Sequence, residues 1–80
     1  PRGQYMPLSD SKKAILRHLY QHGDDIPANI GEASDYHKKH VSRTLSELET
    51  AELVENKGRG VYTLTPAGFR KARELVKSDT

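Results

Sequence analysis

Between Tyr36 and Arg43 the chain carries Lys38, Lys39 and Arg43, the histidines His37 and His40, and the hydroxyl of Ser42, with no acid among them. These groups suit one kind of chemistry. Lysine ammonium groups neutralise phosphates, an arginine fork matches guanine O6 and N7, and serine donates or accepts toward either. A second basic pair, Lys57 and Arg59, flanks Gly58. From Thr44 to Glu55 the sign reverses, with Glu47, Glu49, Glu52 and Glu55 and no Lys or Arg. This pattern fits recognition of a polyanion, double-stranded DNA above all, better than bond-breaking. Ser, His and Asp are present, but no nucleophile motif, phosphate loop or metal cluster sets them within reach of one another. No catalytic residue, cofactor or metal is therefore expected. His18 and His22 lie four apart, a spacing used by metal ligands on helices. With no cysteine and no evident third ligand, two solvated histidines near a helix C-terminus, where the dipole favours a cation, account for them.

The element that must carry the first basic group is the stretch Ser34–Glu49. Val41, Leu45 and Leu48 recur at the i, i+4, i+7 spacing of a buried helical stripe, so Lys38, Lys39, His40, Ser42, Arg43 and Ser46 must point elsewhere. Bases at the front and acids at the back oppose the helix dipole. A helix that tolerates this is built to meet an anion at its N-terminus. Near phosphates protonated histidine is favoured, so His37 and His40 predict tighter DNA binding as pH falls from about 8 to 6.

Other elements follow from local signals. Ser9 or Asp10 caps a first helix with Ile15, Leu16, Leu19 and Tyr20 inward, and Gly23 ends it. Ile26 is a candidate for a very short strand. Pro27 opens a short second helix to Ala33, with Ile30 and Ala33 facing the core. Ser34-Asp35 is a tight turn with Tyr36 as an apolar plug beneath it. The basic helix, about residues 37–50, ends near Ala51. Strands from about Leu53 and over Val61–Leu64 flank the Gly58-Arg59-Gly60 turn as a hairpin. Thr65-Pro66 caps and starts a last helix with Phe69, Ala72, Leu75 and Val76 on one face. Val41, Leu45, Leu48, Ile15, Leu16, Leu19, Leu53, Val54, Leu64 and Phe69 are the expected core.

The fold class is thus mainly α with a small β-hairpin: a three-helix core, a wing and a C-terminal helix. Residues 1–7 read as an N-terminal arm, 8–77 as the DNA-binding unit and 78–80 as a frayed tail. Two uses are open to the arm: Tyr5 and Met6 fold back on the core, or Arg2 reaches DNA. Eighty residues with 34% hydrophobic and 30% charged content make one small domain with a thin core. The net charge of +2 is modest, so its distribution carries the argument. No apolar run has membrane-spanning length and no signal peptide is visible, so a cytoplasmic, nucleoid-associated protein is expected.

Three segments in order carry a family resemblance. They are Val41-Ser42-Arg43-Thr44-Leu45-Ser46-Glu47-Leu48-Glu49, then Ala51-Glu52-Leu53-Val54, then Tyr62-Thr63-Leu64-Thr65-Pro66-Ala67-Gly68. Together they resemble the winged helix-turn-helix repressors of the MarR and PadR groups, with their VSR-like recognition helix, "GLV" lead-in to the wing and "Y-x-L-T-x-x-G" exit. Glu32 to Leu48 is similar to repressor-like winged-helix proteins of halophilic archaea and their viruses, where a Tyr-His pair opens the recognition helix as Tyr36-His37 does here. The resemblance covers roughly residues 8 to 77. Two departures stand out: Asp35 replaces a turn glycine, and Glu52 replaces the glycine of "A-G-L". The resemblance implies a transcriptional regulator, a repressor, that puts the recognition helix in the major groove and wing residues 57–60 on the minor groove or backbone. It implies a homodimer, for which Phe69, Leu75 and Val76 of the last helix are the expected surface. The alternatives are a winged-helix protein-interaction module and a DNA-binding module of a larger replication or recombination protein. His37, Lys38, Lys39, His40, Ser42, Arg43, Lys57 and Arg59 are the expected DNA contacts.

Overall fold

The computed structural model describes residues 8–78. The arm, with Arg2, Tyr5 and Met6, lies outside the described residues, as do 79 and 80 of the expected tail. The first helix, α1, spans Asp10–His22. Ser9 has extended backbone and its hydroxyl accepts from the Lys12 amide at 3.3 Å, which satisfies one of the first-turn donors. Ser11, Ile15, Leu16 and Leu19 are its buried face. This helix is the hub of the domain, packing on all three other helices. α2 spans Pro27–Ser34 with proline in its first turn, and α3 spans Lys38–Thr50.

Ala33 is exposed, contrary to expectation; Ile30 and Gly31 face inward instead. Gly31 is there because α2 approaches the start of α3 closely. A Cβ on Gly31 would sit 2.8 Å from the Tyr36 carbonyl oxygen. Along α3, Val41, Thr44, Leu45 and Leu48 are buried. Thr44 lies outside the expected core set, but its hydroxyl is satisfied by donating to the His40 carbonyl at 2.8 Å.

Both turns flanking α3 use a left-handed residue that is not glycine. Asp35 has φ 65° and ψ 28°, and the Tyr36 amide reaches back to the Gly31 carbonyl at 3.1 Å. After α3, Glu52 has φ 64°; its amide donates to the Glu49 carbonyl and the Leu53 amide to the Leu48 carbonyl, both at 2.9 Å. That pair of bonds is the helix ending normally built around glycine. The two departures noted in the sequence therefore fall on positive-φ positions.

The hairpin pairs β1 (Val54–Asn56) antiparallel with β2 (Tyr62–Leu64) in the register Val54 to Leu64, Glu55 to Thr63 and Asn56 to Tyr62. Each strand begins one residue later than expected. A third, one-residue strand lies at Asp25 rather than Ile26, since Asp25 exchanges both backbone bonds with Tyr62 at 3.1 and 2.8 Å. Thr65 then knots three elements. Its hydroxyl donates to the Glu52 carbonyl at 2.6 Å and accepts from the Gly68 amide at 3.0 Å, while its amide donates to the Leu53 carbonyl at 3.1 Å.

The last helix, α4, spans Pro66–Ser78 and so includes Ser78, one residue past the expected unit. Its backbone at Gly68 rests on Leu53, leaving no room for a Cβ beside the Leu53 carbonyl. This contact makes the line through Gly68 and Ala72 innermost, and Ala72 is fully buried. Phe69, one residue round the helix, is turned outward. It is 47% exposed and is not part of the core. Its ring centroid lies 5.0 Å from that of Tyr20, and the Arg73 guanidinium carbon is 6.0 Å from the ring. The core consists of Ile15, Leu16, Leu19, Ile30, Val41, Leu45, Leu48, Val54 and Ala72, with Leu53, Leu64 and Leu75 half-buried at its margin.

Candidate nucleic-acid interface

With Val41, Leu45 and Leu48 inward, the opposite face of α3 is set by the helical repeat. Lys39, Arg43, Ser46 and Thr50 recur on it at i, i+4, i+7 and i+11, and all four are exposed. Lys38 is also exposed on the flank and Ser42 is half-buried. Ser46 continues the stripe one turn beyond Arg43 and is not among the expected contacts. Its place follows from the helical spacing alone. Neither an acid in the first turn nor a base in the last softens the reversed dipole arrangement. The acidic back half is held to α1 instead, where Lys12 Nζ lies 3.6 Å from Glu47 Oε1.

The two histidines have structural duties. His37 is the N-cap of α3: its Nδ1 accepts from the Lys39 amide at 3.1 Å. An imidazole that accepts at Nδ1 carries its proton at Nε2, so His37 presents an outward N–H donor beside Lys38. A second proton would remove the cap and add a positive charge at the positive end of the helix. His40 is exposed, with its ring 5.3 Å from that of Tyr36, the half-buried plug of the turn.

The wing turn runs through Gly58, Arg59 and Gly60, all with positive φ. The Asn56 side chain accepts from the Gly58 amide at 2.8 Å and the Lys57 amide pairs with the Val61 carbonyl at 2.7 Å. Arg59 is exposed at the tip. It shares a cleft with Lys38 from α3 and with Ile26, Pro27 and Ala28 from the start of α2. The basic front of α3 and the wing tip thus open on the same side of the molecule. Lys57 differs: its ammonium is 2.8 Å from the Asp24 carboxylate, in the loop between α1 and α2.

The family profile of a winged helix DNA-binding domain matches residues 8–68, most of the chain, including all of α3 and the wing. The chain belongs to this family. No curated protein sequence matches this winged helix domain. Among solved structures, a MarR-family regulator from Neisseria meningitidis is 27% identical with a TM-score of 0.80, over 90% of this chain and 55% of its own. A MarR-family protein of Mycobacterium tuberculosis is 23% identical with a TM-score of 0.79, over 88% and 53%. MepR, a transcription regulator of the Staphylococcus aureus multidrug efflux pump MepA, is 19% identical with a TM-score of 0.77, over 89% and 57%. The last two likenesses are of fold. The winged helix domain spans about half the length of these structures.

What sequence reasoning missed in this domain is the joint between wing and helices. Asp25 pairs its backbone with the wing and its side chain with both neighbouring helices. Oδ2 accepts from His18 Nε2 of α1 at 2.8 Å, and Oδ1 accepts from Asn29 of α2 and from the Ile26 amide, each at 2.9 Å. The hydrogen bond from His18 holds the Asp25 carboxyl below its ordinary value, with Asn29 and Ile26 adding to it against the opposing effect of burial. His18 is not the solvated histidine expected: its side chain is only 10% exposed. Its ring lies 4.8 Å from that of His22. Among the described residues no group of three or more His, Cys, Asp or Glu is arranged to hold a metal. No helix there is long and apolar enough to cross a membrane.

Proposed function

We propose that this chain is the DNA-binding module of a transcriptional repressor that acts as a homodimer on a two-fold site. The recognition helix α3 enters the major groove and the wing lies on the adjoining minor groove or backbone. Arg43, central in the exposed stripe, reads a guanine; Lys38 and Lys39 contact phosphates; Ser42, Ser46 and His40 add polar contacts; and the His37 Nε2–H donates from the helix front. Arg59 reaches the minor groove or its phosphates, and Lys57 reaches backbone. The observation that carries the reading is that Lys38, at the front of α3 beside its exposed stripe, lines the same cleft as Arg59 at the wing tip. One duplex can therefore touch both. Dimerisation is assigned to α4, which carries exposed Phe69 together with half-buried Leu75 and Val76.

The experiment is a salt titration of binding to random and selected duplexes. A dimer with about eight phosphate contacts should give a log–log salt slope near −7, and sites selected from random DNA should be two-fold symmetric. Affinity that ignores salt and sequence would instead favour a protein-interaction module.

A further inference from the structure

Among the described residues, Lys38, Lys39, Arg43 and Arg59 have no carboxylate within ion-pair distance, whereas Lys57 is bound to one. The structure assigns to Asp24 the role of an internal competitor for the wing lysine: it occupies the Lys57 ammonium until a DNA phosphate displaces it. This rests on the reading of the wing as a DNA-contacting element.

Several observations support the assignment. The pair spans 33 residues of sequence and joins the α1–α2 loop to the foot of the wing turn at 2.8 Å. Both side chains are half open to solvent, 52% for Lys57 and 40% for Asp24, so a phosphate can approach without unfolding anything. Asp24 is not the wing's sole tie to the helices: its neighbour Asp25 pairs its backbone with Tyr62 independently of the Asp24 side chain. The Asp24 carboxyl is held below its ordinary value by the hydrogen bond from Lys57 and then by one from Thr63 of β2. It is thus a charged acceptor next to the face proposed for DNA. An acid there, bound to a base the DNA must recruit, lowers affinity for every sequence by the same factor. Discrimination between sequences is left to the exposed stripe of α3. Asp24 therefore sets how tightly the chain holds DNA at a given salt concentration, and not which sequence it prefers.

The test is a double-mutant cycle on the full chain with Asp24→Asn and Lys57→Gln, read as the salt slope and affinity on a random duplex and on a selected site. Asp24→Asn should bind both duplexes more tightly, and should steepen the log–log slope by up to about 0.9 for each wing, the full amount where Asp24 keeps Lys57 off the phosphate in the wild-type complex and none where the phosphate has already displaced it. The ratio of selected to random affinity should stay at its wild-type value. In the Lys57→Gln background both the tightening and the steepening should vanish. If Asp24→Asn tightens binding just as much in that background, the effect is the general field of a removed charge and the competitor role is wrong. It is equally wrong if Asp24→Asn weakens binding, since the carboxylate would then be positioning the lysine for DNA. Thr63→Val, which removes the other Asp24 partner and leaves Lys57 alone, should not change the slope and controls for disturbance of β2. Failure of the wild-type chain to bind any duplex would reject the DNA-binding reading itself, and is distinct from every outcome above.

Discussion

At the scale of single residues, the front of α3 combines recognition with construction. His37 caps the helix through Nδ1 and keeps only Nε2–H for a ligand. Replacing it by Ala should cost about 1 kcal/mol of stability, whereas Asn, whose carbonyl can take over the cap, should retain it. Thermal unfolding of the two variants separates these outcomes, and DNA binding by the Asn variant then measures the Nε2–H contact alone. Arg43 has no such structural duty, being exposed in mid-helix. Arg43→Ala should leave the unfolding midpoint close to wild type, cost about 1–3 kcal/mol of binding to a selected site and relax preference at one base position. Equal binding of selected and random duplexes by wild type and variant would mean that α3 lies the other way round.

At the scale of elements, the strain lies at the ends of α3. A residue with a Cβ in the left-handed region costs roughly 1–2 kcal/mol, and Asp is among those that bear it best. Glu52 does not share that tolerance. Glu52→Gly should therefore stabilise the domain by about 0.5–1 kcal/mol after allowing for the greater freedom of glycine in the unfolded chain, raising the melting temperature by a few degrees. Asp35→Gly should gain less. Gly68→Ala should act in the opposite sense, because the new methyl meets the Leu53 carbonyl; a loss of about 3 kcal/mol or more is expected. The order of elements is legible in the chain because each carries its own signal: the 4-3 spacing of Val41, Leu45 and Leu48, proline opening α2 and α4, and glycines at the wing. The inward face of α4 is not. Four apolar residues, Phe69, Ala72, Leu75 and Val76, fit one helical face, and only the contact of Gly68 with Leu53 decides that Ala72 goes in and Phe69 stays out. Ala33 stays outside for a similar reason, since the close approach of α2 to Tyr36 selects Gly31 instead.

At the scale of the whole molecule, the candidate interface depends on a joint that has no local signature. Asp24 and Asp25 read as ordinary turn residues, yet they meet partners on α1, α2 and both sides of the wing. Nothing in their spacing from His18, Asn29, Lys57 or Tyr62 announces this, because each contact is made by the fold rather than by a helical or strand repeat. The joint has a measurable consequence. Since the Asp25 carboxyl is held below its ordinary value, chiefly by His18, the native chain takes up this proton less readily than the unfolded chain. Its contribution to stability is complete above the ordinary aspartate range, about pH 4, and is lost as pH falls through the lower native value. The wild-type unfolding midpoint in denaturant should therefore drop as the solution is acidified from about pH 5 to 2. Asp25→Asn should begin less stable, by about 2 kcal/mol for the weakened bonds to His18, Asn29 and the Ile26 amide. It should also show a shallower fall over the same range, with Asp24 supplying part of what remains, because its carboxyl is lowered by Lys57 and Thr63. Parallel curves for wild type and Asp25→Asn would mean that the joint contributes nothing through its charge. The wing would then owe its place to the Asp25–Tyr62 backbone pair, the Asp24–Lys57 pair and the burial of Val54 in the core, with no contribution from the Asp25 charge.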